Sequence, residues 1–108
     1  EARWGAALDA GHPVAVTVSG LASDSLGARQ VGAWPFAAAQ RWVDVAVTVP
    51  DATIADAQRA LWRELRLVVE PGGAAALAAL LSGAYRPEPG EQVAVLVCGA
   101  NTDPTGVT

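Results

Sequence analysis

The chain has 108 residues and a net charge of −4, and all seven of its basic residues are arginines, with no lysine and no methionine anywhere. Arginines scattered through an acidic chain exclude the basic stripe that neutralises nucleic-acid phosphates, and no apolar run approaches the roughly 20 residues of a membrane-spanning helix. A single cysteine forms neither an internal disulfide nor a cysteine-rich metal site, and no signal-peptide pattern opens the chain, so a cytoplasmic setting without nucleic-acid or membrane partners is expected.

Residues 5–11, GAALDAG, predict the end of a helix closed by Gly11, and after His12-Pro13 the alternation of valines over Val14–Val18 predicts a strand. Residues 19–32 carry three glycines and a Ser23-Asp24-Ser25 cluster with no sustained period, which predicts a loop. Ala33–Trp42 predicts a helix with Pro35 near its start, where a missing N–H costs nothing, and Val43–Val49 alternates as a second strand.

Asp51 is the expected N-cap of the longest helix. In it Ile54, Ala57, Leu61, Leu65 and Val68 recur at three- and four-residue spacing, while Arg59, Arg63 and Arg66 fall largely elsewhere. After Glu70-Pro71-Gly72-Gly73 the run AAALAALLSG predicts a helix ended by Gly83, apolar on every side and so expected to be buried between other elements. Arg86–Gly90 reads as a Pro-rich surface turn and Gln92–Val97 as the third strand. Strands alternating with helices predict an α/β fold with three layers, a mostly parallel sheet flanked by helices.

In such sheets ligands bind beyond the carboxyl ends of the strands. The segments that qualify are Ser19–Gly27, Glu70–Gly73 and Cys98–Asp103. Glu70 stands between an apolar run and a helix N-terminus, where a partial positive charge favours an anion, and on its own it reads first as a capping carboxylate. Cys98 ends an apolar strand just before Gly99-Ala100-Asn101; it reads either as a small buried hydrophobe or as a group presented at a turn of close approach. Asp24 reads as an Asx-turn residue. His12 lies in a turn with no partner at a meaningful spacing. The four tryptophans do not alternate with basic residues, and packing is the expected role for Trp4, Trp34, Trp42 and Trp62.

Taken together, LVVEPGGAAALAALLSG at 67–83, VAVLVCGANTDP at 93–104 and GLASDSLGARQVG at 20–32 resemble the C-terminal part of the serine/threonine dehydratases. These are the threonine ammonia-lyase group of pyridoxal-phosphate enzymes with the tryptophan-synthase β-like fold. The resemblance covers nearly the whole chain in order. It implies that residues 1–108 are the C-terminal portion of a PLP-binding α/β domain, a fragment lacking the N-terminal lysine and phosphate-loop regions. It further implies that Cys98 faces the pyridine nitrogen of the cofactor with Gly99 beside it, and that Glu70 lies by the cofactor ring. Asp24 and Ser25 then belong to a loop passing close to the cofactor, with Ser25 standing where relatives often have glycine.

The implied activity is elimination and deamination of L-threonine or L-serine to a 2-oxo acid and ammonia. Its implied partners are an amino-acid substrate and further copies of a full-length parent in a homo-oligomer. With no lysine to form a Schiff base, the chain alone is expected to be inactive. An amino-acid racemase or β-replacement enzyme of the same fold, or a non-catalytic α/β binding module, are the competing readings.

Overall fold

The computed structural model describes residues 2–17, 19–21 and 28–108. Among the described residues the chain forms α1 (Ala2–Ala10), α2 (Ala33–Trp42), α3 (Asp51–Leu65), α4 (Pro71–Leu81) and a short 3-10 turn, Pro104–Gly106. Gly11 closes α1 at φ 77° and Gly83 follows α4 at φ 76°, as the sequence leads one to expect of residues that must enter the left-handed region.

Two apolar clusters hold the chain together. The larger joins Ile54, Ala57 and Leu61 of α3 to Val69 and to Ala74 and Ala78 of α4. Alanines at those α4 positions let the two helix backbones approach closely. The smaller cluster sets Ala7 of α1 against Val31 and against Phe36 of α2, with Trp4 and Leu8 packed on it.

Several local expectations change. Asp51 does not cap α3: Pro50 occupies the N-cap with extended backbone, and Asp51 is already helical. Its carboxylate instead accepts the Leu21 N–H at 2.8 Å and rests against Gly20, which sits at φ 97°. An acid in the first turn still meets the favourable end of the helix dipole, and this one also ties the preceding loop to α3. At the other end Arg66 stops the helix at φ 59°, its N–H donating to the Trp62 carbonyl at 2.9 Å and that of Leu67 to Leu61 at 3.3 Å. That termination swings Leu65 out to 62% exposure, so the apolar stripe ends one turn earlier than its spacing predicts.

Trp34 is 89% exposed and Trp42 is also exposed, against the expectation of packing. At 3.6 residues per turn, Trp34 falls on the side of α2 opposite Phe36 and Ala39, and Trp42 about a quarter-turn from that face. The Arg41 guanidinium lies 5.0 Å from the Trp42 ring centroid and the Arg66 guanidinium 5.5 Å from that of Trp62. α4 is buried on one side only, through Gly73, Ala74 and Ala78, while Leu81 is exposed.

The alternating runs at 14–18, 43–49 and 92–97 carry no strand ladder among the described residues. Alternation predicts a half-buried pleated surface rather than an intrinsic backbone state, and here Val45 is 65% and Leu96 77% exposed. Single backbone bonds tie such regions together, Val16 N–H to Arg29 carbonyl at 2.8 Å and Glu70 N–H to Gly99 carbonyl at 3.0 Å. The accessible surface of 7117 Å² exceeds the about 5,600 Å² of a compact monomer of 11.0 kDa, in keeping with the apolar surface these segments leave uncovered.

Candidate functional site

Glu70 and Cys98, far apart in sequence, are brought to one place. Val69 is buried in the larger cluster, and its carbonyl accepts the side-chain amide of the buried Gln58 at 2.8 Å. With that carbonyl fixed to α3, the next residue, Glu70, becomes the N-cap of α4 and Pro71 its first helical residue. Glu70 makes no side-chain cap bond. Instead its N–H donates to the Gly99 carbonyl at 3.0 Å.

The Cys98-Gly99 turn is shaped by this contact. Gly99 sits at φ 77°, a conformation open to glycine and strained for other residues, and a β-carbon there would overlap the Glu70 carboxylate. The Cys98 carbonyl is packed just as closely against Gly73 in the first turn of α4. Cys98 itself is a free, exposed thiol. Beyond it the Thr102 N–H donates to the Ala100 carbonyl at 2.8 Å, and the Asp103 carboxylate accepts the N–H of Thr105 at 2.9 Å and its hydroxyl at 2.8 Å. These bonds to Thr105, the backbone one first, hold the Asp103 carboxyl below its usual range.

Of the residues singled out in the sequence, Glu70, Cys98 and Gly99 therefore meet at the N-terminus of α4. Asp24 and Ser25 lie outside the described residues; the nearest described part of their loop is Gly20-Leu21, tied to Asp51. Sequence reasoning passed over Gln58 and the role of Gly73. Gln58 had a readable signal, since it shares the stripe of Ile54, Ala57 and Leu61 at helical spacing, a polar residue on a buried face that requires a partner. Gly73 stood out as a glycine within the Glu70–Gly73 segment and an alanine-rich helix, but its partner, a carbonyl 25 positions away, is not readable from the sequence.

The site offers the Cys98 thiol beside the Gly99 turn, the Glu70 carboxyl against that turn and the N-terminus of α4. Among the described residues no group of three or more His, Cys, Asp or Glu is placed to hold a metal, and no helix is long and apolar enough to cross a membrane. A thiol with one carboxyl near its turn and no third metal-ligating group among the described residues suits a ring nitrogen, as a weak hydrogen-bond partner, better than a metal ion.

The pattern defining the family described as pyridoxal-phosphate dependent enzyme matches residues 2–99. Over 99 residues the chain is 36% identical to the biosynthetic L-threonine dehydratase of Escherichia coli K12, covering 91% of this chain and 19% of that protein. It is 36% identical over 96 residues to the phenylserine dehydratase of Ralstonia pickettii, covering 89% and 29%. The crystal structure of the T.th. threonine deaminase superposes with a TM-score of 0.81 at 31% identity, over 94% of this chain and 36% of that one. The chain thus spans about a fifth to a third of the length of these relatives. A backbone path shared with the deaminase and a match along nearly its whole length show that the chain belongs to the pyridoxal-phosphate dependent enzymes and has the tryptophan-synthase β-like fold.

Proposed function

We propose that this chain is the C-terminal part of the cofactor-binding domain of a pyridoxal-phosphate-dependent lyase that removes water and ammonia from L-threonine or L-serine, leaving a 2-oxo acid. The observation that carries the reading is the clamp between Glu70 and the Cys98-Gly99 turn, in a chain whose relatives include threonine and phenylserine dehydratases. In the longer parent, the runs at 14–18, 43–49 and 92–97 form strands of a three-layer, mostly parallel sheet whose partners cover the valines now exposed. The parent is proposed to be a cytoplasmic homo-oligomer.

Bound pyridoxal phosphate supplies the electron sink that lets the α-hydrogen of the amino acid leave as a proton. Cys98, Gly99 and Glu70 would hold the ring, with Cys98 as partner of its nitrogen, Gly99 allowing close approach of the backbone and Glu70 beside it. Asp24 and Ser25 contribute from their loop. A thiol is a weak hydrogen-bond donor and does not hold a proton on the ring nitrogen as an aspartate would. Cys98 would thus leave the ring nitrogen without a proton and tune the chemistry that the cofactor supplies toward elimination.

The test is to express the parent reading frame and assay it with L-threonine and L-serine. Release of 2-oxobutyrate or pyruvate, with an upstream lysine and a glycine-rich loop in the sequence, supports the proposal. Dominant formation of D-serine, or the absence of both upstream features, refutes it. The 108-residue chain alone, having no lysine, shows no turnover.

A further inference from the structure

A glycine inside a helix is less favourable than alanine, so Gly73, buried in the first turn of the alanine-rich α4, runs against local propensity. Its neighbours account for it. A β-carbon at Gly73 would overlap the carbonyl oxygen of Cys98, standing 2.6 Å from the carbonyl carbon and 2.9 Å from Val69 Cγ1. The obstructing atoms on the Cys98 side are backbone, so no side-chain rotation relieves the overlap. The adjoining peptide is already fixed, since the Gly99 carbonyl accepts the Glu70 N–H and Gly99 is at φ 77°.

Resting on the reading of Cys98 as the partner of the ring nitrogen, we infer that Gly73 is the positioning residue for that thiol: it is the surface on which the Cys98 carbonyl seats, and it sets how far Cys98 projects from the turn. To bring its oxygen as well as its carbon to ordinary contact, the Cys98 carbonyl must retreat by more than about 1 Å. A misplacement of that size costs a reacting geometry on the order of 100-fold.

The test uses the longer parent in which this chain is proposed to lie and reads amide exchange and thiol reactivity rather than turnover. Gly73→Ala is compared with Gly5→Ala, a helical glycine in α1 with open space around it. Amide hydrogen exchange is followed at Glu70, which reports the bond to Gly99, and at Arg66 and Ser82, which report the ends of α3 and α4. Alkylation of Cys98 is followed in parallel.

In Gly73→Ala the Glu70 amide exchanges about tenfold faster and the Cys98 alkylation rate changes by about threefold or more, while Arg66 and Ser82 keep their rates and Gly5→Ala changes nothing. Adding Val69→Ala to Gly73→Ala leaves the Glu70 amide fast, because the decisive contact is with backbone. Unchanged exchange and alkylation overturn the inference, as does acceleration of every amide together, which assigns Gly73 to general packing. Recovery on adding Val69→Ala also overturns it. A negative result here leaves the assignment of Cys98 to the ring nitrogen standing, and failure of that assignment in the cofactor-loaded parent leaves this steric relation standing.

Discussion

The N–H of Glu70 donates to the carbonyl of Gly99 at 3.0 Å, and the Glu70 carboxylate fills the space that a side chain at Gly99 would need. Through these two contacts the start of α4 and the turn after Cys98 become one unit. The unit is anchored to α3 by Gln58, whose side chain holds the carbonyl of Val69.

Gly99→Ala separates the two requirements at that turn. Gly90 also has a positive φ, 81°, but nothing surrounds it within 4 Å, so Gly90→Ala carries only the backbone cost of about 1–2 kcal/mol. Gly99→Ala adds the overlap with the Glu70 side chain, which must leave its rotamer, and is destabilised by about 0.5–1.5 kcal/mol more. Urea unfolding of both variants checks this; equal midpoints would contradict the clamp.

Gln58→Leu leaves the Val69 carbonyl without its partner on a buried face, a loss of about 1–3 kcal/mol. Because Val69 precedes Glu70, faster hydrogen exchange at the Glu70 amide accompanies the loss. Urea unfolding and exchange on the same sample measure both.

The turn after α4 carries a pH signature. The Tyr85 hydroxyl donates to the Glu91 carboxylate, which also accepts the Glu88 N–H at 2.8 Å. These bonds, that from Tyr85 first, hold the Glu91 carboxyl below its ordinary 4.5. The same bond, followed by desolvation and the charges of Glu91 and Glu88, raises the Tyr85 phenol above its ordinary 10.0. A lowered carboxyl stabilises the fold above its unfolded value and loses that contribution as pH falls through the folded one. A raised phenol contributes below its unfolded value and loses it as pH rises through the folded one. The turn is therefore held between about pH 4.5 and 10 and loosens on either side. In Tyr85→Phe, NMR titration finds Glu91 moved back toward its ordinary value; an unmoved titration would show that the hydroxyl is not the cause.

Helices were legible in the sequence because each carries its own signals: glycines at positions 11 and 83, Pro35 and Pro71 in first turns, and the spacing of Ile54, Ala57 and Leu61. Strands were not settled by alternation. A valine row specifies a surface that wants covering, and what pairs with Val45 or Leu96 is not encoded in those residues. Glu70 and Cys98 could be named from their positions beside Pro71-Gly72 and before Gly99. Their joining through Gly73 and Gln58 arises only when α3 and α4 pack, since each contact spans a long stretch of sequence.

Cys98→Asp in the longer parent places a carboxylate at the position proposed to face the ring nitrogen. Such a group keeps that nitrogen protonated, and elimination from L-threonine falls by about tenfold or more, a barrier change of about 1.4 kcal/mol or above. Cys98→Ser, also neutral, stays close to the parent. Steady-state release of 2-oxobutyrate measures both, and unchanged turnover in Cys98→Asp would count against the role.

The role of Cys98 as partner of the ring nitrogen is tested most directly by the distance between Cys98 Sγ and that nitrogen in a crystal structure of the cofactor-loaded parent. Hydrogen-bonding distance is the expected result, with Glu70 at the ring edge and Gly99 against the ring. A ring nitrogen facing another side chain, with Cys98 turned away from the cofactor, would contradict it.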